Sequence, residues 1–346
     1  MRTWQALALA TAIVLVPRLT LGADLAPLKG QSIRAIIGGS PGGGTDVLGR
    51  IFFTALARVL PETTVNVQTI GAGAGAGAVK ELFEARGRLV TVSIFGTAPI
   101  YAQLMGNAAV PFDVSKLRWL GSLADGRRVL AVHKRLGAPT LATLRDLPRQ
   151  PIAPTGDALG SATIDTLLLN AILGLRIKVV PGFGDAQIDT MLLGGDADVR
   201  LTGTIALGPL LASGDMVPIL RIGDGSYPGA MAALPKLSDL APPGVPSDLV
   251  FLLETLNRLG RPYAAAPNTS PALVAALRDA FEIVIKDHQY IAAMEQRETI
   301  GESTPGADLT VAMDRLFSPT VEVGALVRKY RDCGERMSAN LATSCE

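Results

Sequence analysis

The sequence predicts an α/β protein built from two blocks, each a mostly parallel sheet flanked by helices. Two observations carry this. Short apolar runs alternate with stretches of helical periodicity over residues 32–105 and again over 129–222, the βαβ grammar of a parallel sheet. Glycine-rich stretches also stand where strands hand over to helices: SPGGGTD at 40–46, GAGAGAGA at 71–78, PTGDALGSAT at 154–163 and PGFGDAQ at 181–187.

Taken in order, 32–37 reads as a strand and 45–59 as a helix, with apolar residues at 47, 48, 51, 52, 55, 56 and 59. A strand at 65–70, the Gly-Ala run, a helix through Glu84, a strand at 89–95 and a short helix at 99–105 complete the first block. In the second, strands are expected at 129–133, 151–153, 177–180, 197–201 and 216–222, with helices at 160–173 and 185–193. Glycine and proline crowd 223–247, a surface loop, and helical patterns follow at 270–287, 289–298 and 309–331. The middle block reads as an insertion. One lobe would comprise 24–126 plus 222–346, with the C-terminal helices packed on it, and the other 127–221. The crossings near 124–129 and 219–223 would form a hinge.

Hydrophobic residues make up 48% of the chain and charged ones 18%, which suits strands buried on both faces rather than disorder. A formal charge of +1 excludes a nucleic-acid surface or a basic membrane arm. Residues 1–23 have the form of a secretory signal peptide: Arg2, an apolar stretch over 6–16, then Leu21, Gly22 and Ala23 before Asp24. The apolar run is too short to span a bilayer and is interrupted by Pro17 and Arg18. Cleavage near Ala23 would remove Arg2 and Arg18 and leave an exported, periplasmic protein, expected to be a monomer. The two cysteines, Cys333 and Cys345, permit a disulfide over the C-terminus or two free thiols.

Helix N-termini beyond the carboxyl ends of strands present unpaired N–H groups to ligands, and glycine lets a ligand approach the backbone closely. The four Gly-rich loops would therefore form one site. Its residues are Ser40, Pro41, Gly42, Gly43, Gly44, Thr45 and Asp46 of the first loop, with Gly96 and Thr97 after the third strand. The second block adds Thr155, Gly160, Ser161, Ala162 and Thr163, then Phe183, Gly184 and Asp185. Asp46 has two readings, a structural role at the helix start or orientation of the loop amides. Phe95 and Tyr101 lie beside the loops, as core or as pocket wall. Arg127 and Arg128 at the crossing attract anions or form hinge-side ion pairs. Replacing Gly43 by proline is expected to abolish binding by removing an amide.

Rival chemistries fit less well. SPGGGTD lacks the lysine of a phosphate-binding loop, and no acidic residue ends the strand after GAGAGAGA to hold a ribose. Gly38-Gly39-Ser40-Pro41-Gly42 matches a nucleophile elbow, which makes a secreted serine hydrolase using Ser40 an alternative. Pro41, however, has no N–H to give an oxyanion hole. His133 and His288 have no metal-site spacing. No metal, cofactor or catalytic residue is expected.

The segments IRAIIGGSPGGGTDVLGR, the Gly-Ala run after VNVQTI, PFDVSKLRWLGSL, VVPGFGDAQIDTMLLGGDADV and YAAAPNTSPALVAALRDAF resemble, in the same order, the substrate-binding proteins of tripartite tricarboxylate transporters, the Bug family. The resemblance implies a two-lobed periplasmic-binding-protein fold of type II, a Venus flytrap. It further implies a receptor that closes on a small organic carboxylate and delivers it to membrane permease subunits. In such proteins backbone amides and ordered waters of the first loop and of the second-lobe Gly-Ser loop hold the carboxylate; here those positions are 40–46 and 160–163. A periplasmic sensor for a signalling partner would use the same cleft. Departures fall at the ligand loops: Ile164 and Asp165 stand where a histidine is often found, Gly182-Phe183-Gly184 where Tyr-Lys-Gly is usual, and Gln68-Thr69-Ile70 where Asn-Arg-Pro is.

Overall fold

A computed structural model describes residues 23–107, 110–124, 127–137, 140–225, 227–296, 302–318 and 322–345. The expected leader lies almost wholly outside the described residues. No described helix is long and apolar enough to cross a membrane.

The chain runs β1 (Ser32–Gly38), α1 (Gly44–Val59), β2 (Thr64–Thr69), α2 (Ala76–Glu84), β3 (Val90–Phe95), α3 (Ala98–Leu104) and β4 (Arg118–Ala124). It continues with β5 (Arg128–His133), α4 (Leu141–Arg145), β6 (Ile152–Thr155), α5 (Ser161–Leu173), β7 (Lys178–Pro181), α6 (Asp185–Gly194), β8 (Val199–Gly203), α7 (Thr204–Ala212) and β9 (Met216–Arg221). Then come α8 (Leu237–Leu240), α9 (Ser247–Leu259), β10 (Arg261–Ala265), α10 (Pro271–Val284), α11 (His288–Glu295), β11 (Glu302–Pro305), α12 (Gly306–Leu316) and α13 (Val323–Ser338).

A six-stranded sheet has the order β11-β4-β10-β3-β1-β2, and β5 to β9 form a three-stranded sheet, β8-β5-β9, and a pair, β6-β7. The α/β expectation holds, but the large sheet is mixed and the three-stranded one antiparallel, with only the β6-β7 pair purely parallel. β1 pairs in parallel with β2 and β3, through helical crossovers. β10 returns antiparallel between β3 and β4, and both pairings of β5 are antiparallel. β4, β10 and β11 were not among the strands expected from alternation. β10 is only five residues long and opens with arginine and proline, which masks an apolar pattern.

Three helical expectations also change. α4, α7, α8 and α9 were not anticipated: α8 lies within the expected surface loop and buries Leu237, and α9 buries Leu249, Val250, Leu252, Leu253, Leu256 and Leu259 on one face. The helix expected over 309–331 is two helices, the first ending at Leu316 and the second beginning at Val323. The last, α13, does not pack on the first block alone but lies along α5. There Ser338 Oγ accepts the Val179 N–H at 2.8 Å, and Gln150 Nε2 donates to the Met337 carbonyl at 2.9 Å. Cys333 and Cys345 are disulfide-bonded and tie the tail to α13.

One apolar core joins Phe95, Tyr101 and Trp119 to Leu130, Val132, Ile164 and Leu168, and to Val327, Tyr330 and Met337 of α13. A second fills the other face of the large sheet, where Phe52 meets Tyr263 at 4.3 Å and Tyr263 meets Phe281 at 5.4 Å between ring centroids. Such tilted and edge-on pairs add to what area burial contributes.

Candidate functional site

A cleft of about 860 Å³ opens between the carboxyl end of β1 and the starts of α5 and α7. Its first wall is the loop from β1 to α1. Gly42 turns the chain at φ 75°, a left-handed conformation that glycine adopts without strain, and the Gly43 N–H donates to the Ser40 carbonyl at 2.9 Å. Gly43 is the N-cap, extended and with no side chain to cap the helix. Val47 donates to the Gly43 carbonyl, so the N–H groups of Gly44, Thr45 and Asp46 have no acceptor within the helix.

The Gly-Ala run backs this loop. A Cβ at Gly75, which has φ 95°, would lie 2.9 Å from the Gly38 carbonyl oxygen, so only glycine permits the approach. Gly71 and Ala74 of the run reach the cleft.

The second wall repeats the device. Gly160 caps α5 without a side chain; its own N–H goes to the Asp157 carbonyl, and Ile164 donates back to Gly160. The Ser161, Ala162 and Thr163 N–H groups thus lack intrahelical acceptors. A third start, α7, follows another glycine N-cap, Gly203; Thr202, Gly203 and Ala206 line the cleft. Thr140 at α4, Ser270 at α10 and Asp287 at α11 each accept a backbone N–H, while α8, α9, α12 and α13, like the helices at the cleft, start without a side-chain cap. What sets the three starts at the cleft together is a glycine N-cap, Gly43, Gly160 and Gly203.

Of the expected site residues, Ser40, Gly42, Gly43, Gly44, Thr45, Gly96, Thr97, Gly160, Ser161, Ala162, Thr163 and Asp185 line the cleft. Five do not. Pro41 lies off the lining, as does Gly184. Thr155 stands behind Thr163, whose hydroxyl lies 2.8 Å from its own. Phe183 packs against the apolar cluster of Ile188 and Leu192. Asp46 is 4% exposed and ties the loop from behind, accepting from the Gly42 N–H at 2.9 Å, Thr69 Oγ1 at 2.6 Å and Arg50 Nε at 3.0 Å. Burial pushes the Asp46 carboxyl up, but these bonds outweigh it and leave the pKa below its usual 3.8. Asp46 is structural and orients a loop amide at once. Phe95 and Tyr101 are core, each 0% exposed. Nor does the Gly43 amide face a ligand, because Ser40 receives it.

The cleft also has charged lining that the loop motifs did not announce. Arg261, at the start of β10, donates through Nε to Thr45 Oγ1 at 3.0 Å, beneath the first loop. Burial pushes its pKa down from 12.5 to about 10. Arg128 donates to Asp165 and, at 2.8 Å, to Ser161 Oγ. Asp165 is 1% exposed and also accepts from the Tyr101 hydroxyl at 2.5 Å and from Asn257 Nδ2 at 3.2 Å. Burial raises the Asp165 pKa, against the opposing pull of Arg128, Tyr101 and Asn257. Asn257 and Arg261 carried no sequence signal beyond a polar residue amid apolar neighbours. Asp157 lines the cleft, as does Asp185, which pairs with Arg200 at 3.1 Å. Neither histidine lines it, so Ser40 has no imidazole beside it there.

The chain has the two-lobed α/β fold found in periplasmic solute-binding proteins. Among solved structures it is similar to a TctC solute-binding protein from Polaromonas, with 18% identity and a TM-score of 0.65 over 86% of this chain and 98% of the other. It is likewise similar to an R. palustris protein solved with adipate, at 15% identity and TM-score 0.62 over 86% and 97% of the two chains. The periplasmic binding protein BugD matches at 15% identity and TM-score 0.63, over 88% and 98%. At such identities the likeness is one of fold. No family model matches the sequence, and no curated protein does.

Proposed function

We propose that the protein is a periplasmic receptor of the tripartite tricarboxylate type, which captures a small organic carboxylate between two lobes and hands it to a membrane permease. The observation that carries this reading is the convergence of three glycine-capped helix starts, α1, α5 and α7, on one cleft. Backbone N–H groups without intrahelical acceptors suit an anion. A hydrogen bond to a charged group contributes roughly 1.5–3 kcal/mol, and a helix N-terminus up to ~2 kcal/mol. Association and ordering consume much of that, so micromolar affinity is expected. The adipate held by the R. palustris neighbour supports the choice of a carboxylate.

In this reading residues 1–23 are a cleaved leader, 24–126 plus 222–346 form one lobe and 127–221 the other. The two crossings are the hinge, and closure on the acid makes the form that the permease reads. The purified mature protein should gain thermal stability with at least one acid in a panel of mono-, di- and tricarboxylates, through preferential binding to the folded state. No stabilisation by any acid, alongside stabilisation by a neutral or cationic solute, would overturn the reading.

A further inference from the structure

Arg128 stands where the two chain crossings run side by side. It opens β5, four residues after the end of β4, and its carbonyl accepts the N–H of Ile222, just past β9, at 3.0 Å. Its side chain, 18% exposed, lines the cleft. A guanidinium has five N–H donors. Here one nitrogen serves buried Asp165 and another serves Ser161 Oγ, so both sides of the fork are held while an edge remains in the cleft.

The support for Arg128 comes from both ends of the chain's path. Asp165 on α5 is fixed by Tyr101 from α3 and Asn257 from α9 as well as by Arg128. A carboxylate with several charge-assisted donors is a rigid partner, and it sets the plane of the guanidinium. Ser161 is the first residue of α5. Because its oxygen accepts from Arg128, its hydroxyl hydrogen is left to donate, in a chain of polarised bonds. Guanidinium, hydroxyl and the N–H groups at the start of α5 thus meet at one corner of the cleft.

We infer that Arg128 and Ser161 form a charged clamp for a ligand carboxylate at the start of α5, and that Asp165 is a positioning residue that holds the clamp in register. The inference rests on the carboxylate-receptor reading and gives it a residue that discriminates charge. Backbone N–H groups donate to any oxygen of suitable geometry, whereas a guanidinium distinguishes a carboxylate from the neutral amide of the same shape.

The test is calorimetric titration of the mature protein with succinate, adipate, L-malate and citrate, and with the diamides of succinate and adipate. Wild type should prefer an acid over its amide by 100-fold or more, with affinity falling as salt rises. Arg128→Gln should remove at least tenfold of that preference and flatten the salt dependence; Arg128→Lys should recover part of both. Asp165→Asn should reduce the preference several-fold with Arg128 intact, and Ser161→Ala should weaken acid binding three- to tenfold with the unfolding temperature unchanged. The serine variant keeps the question open to refutation should Arg128→Gln fail to fold. Acid preference unchanged in a folded Arg128→Gln, or, should that variant not fold, acid affinity unchanged in Ser161→Ala, would overturn the clamp while leaving the receptor reading intact. A wild type that binds none of the acids would overturn both.

Discussion

Asp46 Oδ2 accepts the Gly42 N–H at 2.9 Å, four residues back along the chain. The carboxylate lies behind the loop, out of the cleft, and takes Thr69 Oγ1 and Arg50 Nε as well. The flexible first loop is thereby fixed from outside, so that the N–H groups at the start of α1 keep their direction. Asp46→Ala should lower unfolding free energy by about 1–3 kcal/mol, since it strands donors in a part-buried place. It should also weaken carboxylate binding, while Asp46→Asn keeps a share of both. Denaturant titration and calorimetry read the two effects. A loop held by its own sequence would leave binding unmoved.

Gly44 offers a cleaner test of backbone capture than Gly43. It is the first residue of α1 and follows an extended Gly43 with ψ 167°, so proline fits there. A Cβ at Gly44 would lie 3.0 Å from Arg261 Nη2, a contact that alanine and proline share. Gly44→Ala keeps the N–H and Gly44→Pro removes it. With similar melting temperatures, the proline variant should bind carboxylates at least tenfold more weakly than the alanine variant. Equal affinities would exclude the Gly44 amide from the site.

Asp198 makes stability depend on acidity. It is 1% exposed and accepts from Arg149, Arg135 and the Ile152 N–H. Burial pushes its carboxyl up, but these donors prevail and bring it from 3.8 to about 2. A folded pKa below the unfolded one gives stability that is full above the unfolded value and lost as pH falls through the folded value. This residue should therefore contribute roughly 2 kcal/mol at neutral pH that disappears between about pH 5 and pH 2. Asp198→Asn should be less stable at pH 7 and show a shallower acid slope in chemical denaturation. An unchanged slope would contradict the assignment.

Gly334 on α13 lies so close to the Leu167 carbonyl of α5 that a Cβ could not be placed without a shift. Gly334→Ala should cost about 1–3 kcal/mol by forcing the two helices apart, seen as a lower melting temperature. Gly214, at φ 70° with open space around it, is a control of the opposite kind: its alanine variant is strained by backbone conformation alone.

Much of the architecture was legible because it is written locally. The apolar spacing of 47, 48, 51, 52, 55, 56 and 59 defines the buried face of α1, and a helix needs only its own residues to show one. Glycine runs after β1, β2, β6 and β7 marked the turns, since the demand for a bare backbone is also local. β10 was not legible: Arg261–Ala265 is a strand because β3 and β4 hold it on both edges. The Leu167 carbonyl against which Gly334 packs belongs to a helix far away in sequence, so α13 on α5 could not be anticipated from its own pattern.

By itself the sequence determined the alternation of strands and helices and the glycine turns at the strand ends, because each follows from periodicity and backbone sterics within a few residues. Only the tertiary structure decided that the starts of α1 and α5 share a cleft with that of α7, a helix the sequence did not announce, that Asp46 stands behind it and that Arg128 lines it. The partners that hold Asp165 lie 37, 64 and 92 residues away along the chain. Such a network exists only once folding has brought the two blocks together and removed the water that would otherwise satisfy each of its groups.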